Sequence, residues 1–268
     1  MIKIEKRRQD LPISLIPAYA DLFHGGPKIP RKSNTTHEKR IAIILAEEYI
    51  DKNEYNSRYK LDDIRTELSK MYKNKCAFCE EKIEQSHIEH YRPKKIYYWL
   101  AYSWDNLLLA CPTCNQAKGI NFELDGPAVA FENTEINIRN INFSSSKYNA
   151  IEKPRMVNPE VTDPLGQIEF EKDGLIKSNN NRFKYTIEKC AIDRKYLNDE
   201  RRKLLDIFQS DIRSALIENS DFADQQREIS VIVRKFIRDS KDQDLQFLSF
   251  RRYAISAGWL NELTKELN

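Results

Sequence analysis

The chain has 268 residues, 40% apolar and 32% charged, and a net charge of only +3. That charged share exceeds the roughly 25% of an average globular domain and suits long, solvated helices around a modest core. So small a net charge excludes nucleic-acid binding through bulk charge alone. Local placement has to carry any such role, and residues 1–40 do hold nine Lys or Arg against four Asp or Glu.

The opening "MIKIEKRRQD" has no apolar run after its basic residues and does not read as a signal peptide. No stretch approaches the ~18 apolar residues of a membrane span. The expected compartment is a cytoplasm, where thiols stay reduced. Residues 1–34, with four prolines and Gly25-Gly26, read as an extended arm carrying a short helix near Ile16–Leu22. A helix is expected through "TTHEKRIAIILAEEYI", with Thr35 and Glu38 as a capping box and Ile41, Ile44, Leu45 and Tyr49 on its apolar face. A second helix, "LDDIRTELSKMY", has Leu61, Ile64, Leu68 and Met71 as its stripe and delivers the chain to Cys76. Residues 123–165 look irregular, and "IEFEKDGLIKS" alternates around Asp173-Gly174 as a hairpin does. Helical spacing then returns three times: in Leu197–Leu216, in Ile229–Ile237 and in Phe247–Ile255. This divides the chain into an arm with helices (1–72), a motif-bearing core (73–125), a loop and hairpin connection (126–180) and a C-terminal helical region (181–268).

Two Cys-x-x-Cys couples, Cys76/Cys79 and Cys111/Cys114, stand 31 residues apart. Each couple makes a knuckle that turns two sulfurs to one side, and two knuckles close a tetrahedral four-sulfur site suited to Zn2+. A closed site has no open position, so this zinc is expected to be structural. Cys190 stands alone and reads as a small buried hydrophobe.

The insert between the knuckles contains "HIEHYRPKK", residues 87–95. Asn115 and Lys118 project together from the helix begun by the second knuckle, because i and i+3 share a face. The clip brings the strand after Cys79 near that helix. Glu89, His90 and Asn115 then offer a carboxylate, an imidazole and an amide in one place. Hard oxygen ligands suit Mg2+, and a neutral imidazole beside them takes a proton from water. That combination is a phosphodiesterase arrangement.

"IEHYRPK" followed by "WDNLLLACPTCNQAKG" resembles the HNH endonuclease signature framed by zinc knuckles. The resemblance implies an α+β, mainly helical protein. Its small ββα-metal core would carry the four-Cys zinc site, flanked by helical regions and one β-hairpin. It also implies residue roles. His90 matches the general base, Glu89 and Asn115 the ligands of a catalytic Mg2+ or Mn2+, and Asn106 the residue that orders the loop. Lys118 matches a helix lysine facing phosphate. Arg92 and Lys94 are candidate phosphate contacts. The wider layout is similar to the PtuB nucleases of Septu and retron-associated anti-phage systems in bacteria. This implies a DNA substrate and a partner ATPase of the ABC or SMC-related PtuA type. The chain has no Walker sequence of its own, and the flanks at 35–72 and 185–268 are the candidate partner surfaces.

Alternatives stay open at this level. The acidic ligand is often Asp in this family, whereas here it is Glu89. Along a straight strand His87, not His90, would share a face with Glu89; convergence of Glu89 and His90 requires the strand to end there, as Arg92-Pro93 suggests. RNA, including tRNA, is the alternative substrate, and a zinc-stabilised adaptor without chemistry is the alternative function. Tyr97, Tyr98, Trp99, Tyr102 and Trp104 read as core before they read as a base-stacking platform. His24 and His37 have no visible partners.

Overall fold

The computed structural model describes residues 1, 3–23 and 28–267; His24, Gly25 and Gly26 of the arm lie outside the described residues. Its functional centre is a two-stranded sheet. Strand β1 (His87–His90) pairs antiparallel with β2 (Leu107–Ala110), His87 opposite Ala110 and His90 opposite Leu107. The four β2 side chains are all buried, as a continuous apolar run between two covering layers requires. One layer includes helix α3 (Asp62–Tyr72), which sets Ile64, Leu68 and Tyr72 inward and packs on β2. Helix α4 (Pro112–Lys118) follows β2 after the single residue Cys111 and lies against β1. Pro112 at its first position and a Cys114 N–H donated to the Cys111 sulfur start this helix; Gly119, with φ +47°, ends it.

Helix α1 begins at Arg31 rather than after Thr35. Pro30, in extended conformation, marks the entry, and the expected capping residues are used inside the helix. The Thr35 hydroxyl donates to the Arg31 carbonyl at 2.9 Å, and Asn34 donates to Glu38 at 2.9 Å. A left-handed Glu47 stops α1 (Arg31–Ala46), so Tyr49 lies beyond it. Ile43 and Ile44 are buried while Leu45 points outward. Near Ile16–Leu22 the arm makes 3-10 turns at Ile13–Leu15 and Ala20–Leu22, not an α-helix. The short helix α2 (Asn53–Asn56) links α1 to α3.

The stretch read as irregular holds two one-turn helices, α5 (Glu135–Arg139) and α6 (Asn149–Glu152). The hairpin forms as expected, with β3 (Glu169–Phe170) pairing β4 (Ile176–Lys177). At Gly174 a Cβ would lie 2.0 Å from the Asn198 carbonyl oxygen, so only glycine lets the hairpin tip close on the helix beyond it. Five helices follow: α7 (Asn181–Lys189), α8 (Lys195–Glu218), α9 (Phe222–Asp239), α10 (Leu248–Ser256) and α11 (Trp259–Leu267). The sequence spacing shows three of them; α7 and α11, each nine residues long, are additions. No helix among the described residues is long and apolar enough to cross a membrane.

One hydrophobic core takes side chains from all four sequence segments. Tyr97, Trp99, Tyr102 and Trp104 are buried. Cys190 packs its sulfur 3.9 Å from Met156 Sδ. Polar tethers fasten the arm to the sheet: Lys6 pairs with buried Glu160 at 2.7 Å and donates to the carbonyls of Trp104, at 2.8 Å, and Leu107. A second buried pair ties the loop after β1 to α6. Arg92 donates through Nε (3.0 Å) and Nη2 (2.7 Å) to Glu152, and through Nη1 to Ser145 at 3.1 Å. Both partners are fully buried, so removing one strands the other's charge. Glu152→Leu is expected to lower the unfolding free energy by about 3–5 kcal/mol in urea titration. A loss below ~1 kcal/mol would show that this pair does not hold the loop.

Candidate active site

The four knuckle cysteines converge: their sulfurs lie within 4.8 Å of one another, and Cys79 and Cys111 are 3.9 Å apart. Zinc–sulfur bonds of 2.3 Å in a tetrahedron set an edge of roughly 3.8 Å, so the donor set fits Zn2+. The Ala77 N–H donates to the Leu109 carbonyl at 2.8 Å, which seats the first knuckle directly on β2. Sequence reasoning missed one residue here. Arg194, just before α8, donates to Cys114 Sγ at 3.4 Å and Cys111 Sγ at 3.8 Å, and pairs with Glu81 at 3.3 Å. Four thiolates and one Zn2+ carry two excess negative charges, which a guanidinium offsets. The contact spans 80 residues of chain, and no local pattern announces it.

β1 ends at His90, where the chain bends through Tyr91 and Arg92 into Pro93. Glu89 and His90 therefore both line one cleft of about 450 Å³, together with Asn115. His87, exposed, lines the same cleft from the other end of the strand. The Glu89 carboxylate is buried and accepts from Lys118 Nζ at 2.8 Å and from the Asn115 amide. Burial pushes the Glu89 carboxyl above its ordinary pKa, and the Lys118 ammonium opposes that rise. Lys118 also donates to the His90 carbonyl at 2.8 Å. It is buried, so it braces the carboxylate instead of facing phosphate.

His90 is held by a hydrogen bond and an aromatic contact. Its Nε2 lies 3.0 Å from the Ala101 carbonyl oxygen. A carbonyl only accepts, so Nε2 carries the proton and Nδ1 is left as the acceptor. Tyr59 packs edge-on against the ring, centroids 4.6 Å apart. Burial lowers the imidazole pKa to about 3, which keeps the ring neutral. Asn106 pins both ends of the loop that supplies Ala101. It accepts from the Arg92 N–H at 2.8 Å and donates to the carbonyls of Arg92 (3.1 Å) and Leu100 (3.2 Å).

Two expected phosphate contacts part company. Arg92 is buried on Glu152, away from the cleft. Lys94 lines the cleft, held by Asn56 Oδ1 at 2.7 Å and the Tyr59 hydroxyl at 2.8 Å, with burial lowering its pKa to about 8. For a second metal, the donors at hand would be the Glu89 carboxylate and the Asn115 amide oxygen. Among the described residues only the thiol cluster gathers three or more His, Cys, Asp or Glu ligands. One carboxylate with neutral donors is the sparse set that Mg2+ accepts when phosphate and water complete its shell.

Comparison with known proteins settles what this unit is. The HNH endonuclease family matches residues 76–120. These residues are an HNH endonuclease domain. Three relatives show further similarity to the chain. The chain is 31% identical over 164 residues to Septu protein PtuB of Bacillus mycoides (strain KBAB4), covering 54% of this chain and 52% of that protein. It is 32% identical over 89 residues to Septu protein PtuB of Bacillus thuringiensis, covering 32% of this chain and 34% of that protein. Septu protein PtuA of Bacillus mycoides (strain KBAB4) is 21% identical over 158 residues, 53% of this chain and 21% of that protein. The chain thus spans about half the length of the first of these relatives and less of the others.

The clip makes a measurable demand on the HNH domain. Atomic emission is expected to find one zinc per chain, unchanged in His87→Ala and lost in Cys76→Ser. Arg194→Met should keep the fold and the zinc but release the metal to a chromogenic chelator about ten times faster, as loss of an outer hydrogen bond to a ligand does. An unchanged release rate would remove Arg194 from the clip.

Proposed function

We propose that this chain is a metal-dependent HNH endonuclease that hydrolyses phosphodiester bonds in DNA. It would act as the effector of a bacterial anti-phage system together with a PtuA-type ATPase. The observation that carries the chemistry is His90, a neutral imidazole with one nitrogen donating to Ala101 and the other free in the cleft beside Glu89 and Asn115. A binding module has no use for that arrangement, and a hydrolase needs it. The PtuB similarity supports the defence role.

The geometry supports a role for each residue. Nδ1 of His90 takes a proton from the attacking water as it adds to phosphorus. The Ala101 carbonyl holds the ring in that tautomer and stabilises the imidazolium that forms. Asn106 keeps Ala101 in place by bracing both ends of its loop. Glu89 and Asn115 would hold the divalent ion, and Lys118 and the Asn115 amide fix the Glu89 carboxylate. When bound, the ion supplies Lewis-acid stabilisation of the charge that builds on the phosphate oxygens.

Plasmid DNA and total tRNA should be incubated with the chain, with and without its ATPase partner, in Mg2+, Mn2+ or EDTA. DNA cleavage in Mg2+ or Mn2+ and none in EDTA is expected. His90→Ala should lower the rate by about 10²–10⁴-fold, while His87→Ala stays within about tenfold of the parent. Full activity in His90→Ala with loss in His87→Ala would reassign the base, and cleavage of tRNA alone would change the substrate.

A further inference from the structure

The cleft is not built by the HNH domain alone. Tyr59, Lys60 and Arg65 also line it, and all three precede residue 76. Tyr59 does two tasks there: its ring packs on His90 and its hydroxyl accepts from Lys94. Asn56 is the other acceptor for Lys94. The ammonium also lies 4.1 Å above the Tyr49 ring, so three residues of the N-terminal region fix one cation of the HNH loop.

The charges of this wall are unmatched. Lys60, Arg65, Lys94 and Lys95 line the cleft, and among the described residues none has a carboxylate within 4.0 Å. The one acid lining the cleft, Glu89, is already paired with Lys118. Asp51, whose charge acts on Lys94, is exposed and accepts from Asn56 at 2.8 Å. Arg65 is tied in place by Nε to the Lys60 carbonyl (3.0 Å) and Nη1 to the Ser86 carbonyl (3.3 Å). Its Nη2 makes no bond among the described residues. A guanidinium anchored on two backbone oxygens with one nitrogen free is a fixed donor rather than a solvated tail. Four cations facing one cleft repel each other, and a polyanion relieves that repulsion.

We propose that residues 56–65 form the second jaw of the nucleic-acid cleft: Lys60 and Arg65 grip backbone phosphates flanking the one presented to His90, and Asn56 and Tyr59 hold Lys94 against the same strand. This rests on the nuclease reading for its substrate class, yet it concerns binding and is tested apart from cleavage. The contacts are to phosphate, so the jaw takes backbone without reading sequence.

Binding of a labelled 30-base-pair DNA duplex, and of an RNA stem-loop in a parallel arm, should be followed by fluorescence anisotropy between 50 and 200 mM salt. The full chain carries His90→Ala so that nothing is cut. Adding Lys60→Glu and Arg65→Glu is expected to weaken binding at least tenfold on the polymer the parent prefers. It should also flatten the slope of log affinity against log salt by about one per lost cation. Because Arg65 braces Ser86, Lys60→Glu alone, at an exposed residue, is the second variant and should flatten the slope by about one. Lys241→Glu, far along the chain after α9, is the control and should bind like the parent. Parental affinity and slope in both jaw variants, or a parent that binds neither polymer, would overturn the jaw. A jaw that binds as expected in a chain that cuts nothing with any divalent ion would leave this inference standing and refute the nuclease reading.

Discussion

The convergence of four sulfurs is the constraint on which the rest depends. Cys76 and Cys79 lie before β1, and Cys111 and Cys114 lie at the junction of β2 and α4. Closing them on one ion fixes the ends of a 31-residue insert within a few ångströms of each other. The two strands then pair in one register, and α4 has one place to go, against β1. A metal clip of this kind supplies order that four-residue strands and a seven-residue helix do not generate from their own hydrogen bonds. Arg194 extends the constraint outward, tying the start of α8 to the sulfurs, so the C-terminal helices and the clip share one support.

Around that frame the cleft is assembled from buried charges that are individually costly and mutually compensated. Glu89 without Lys118 would be a desolvated carboxylate with little reason to stay ionised. His90 without the Ala101 carbonyl would have no preferred tautomer. Arg92 without Glu152 would destabilise the loop that carries that carbonyl. The pairs are nested: α6 holds Arg92, Arg92 and Asn106 hold the loop, and the loop holds His90. Residues outside the cleft thereby decide which nitrogen of His90 is left as an acceptor.

Much of this was legible in the sequence where the signal is local. Paired Cys-x-x-Cys couples report a metal site because thiolate chemistry leaves few other uses for them. The i, i+3 spacing of Asn115 and Lys118 puts them on one face, and both indeed reach Glu89. Arg92-Pro93 marks the end of β1, which brings Glu89 and His90 to one cleft although they alternate along the strand. Where local signals competed, they misled. Thr35 and Glu38 have the form of a capping box, yet Pro30 starts α1 earlier and leaves Thr35 inside it. Arg92 and Lys118 carry charges that look free in one dimension. Their partners, Glu152 and Glu89, lie 60 and 29 residues away.

The sequence by itself determined the four-cysteine clip, the ββα order of the HNH domain, the hairpin at Asp173-Gly174 and three of the five helices that follow it. Each depends on residues close together in the chain, or on side chains with one chemical use. The tertiary structure alone decided which cations are neutralised and which are left facing the cleft, the tautomer of His90, the link from Arg194 to the sulfurs, and the addition of Tyr59, Lys60 and Arg65 to the cleft lining. Those are outcomes of which distant groups burial brings together. Burial turns on shape and desolvation across the whole core, which no short stretch of sequence encodes.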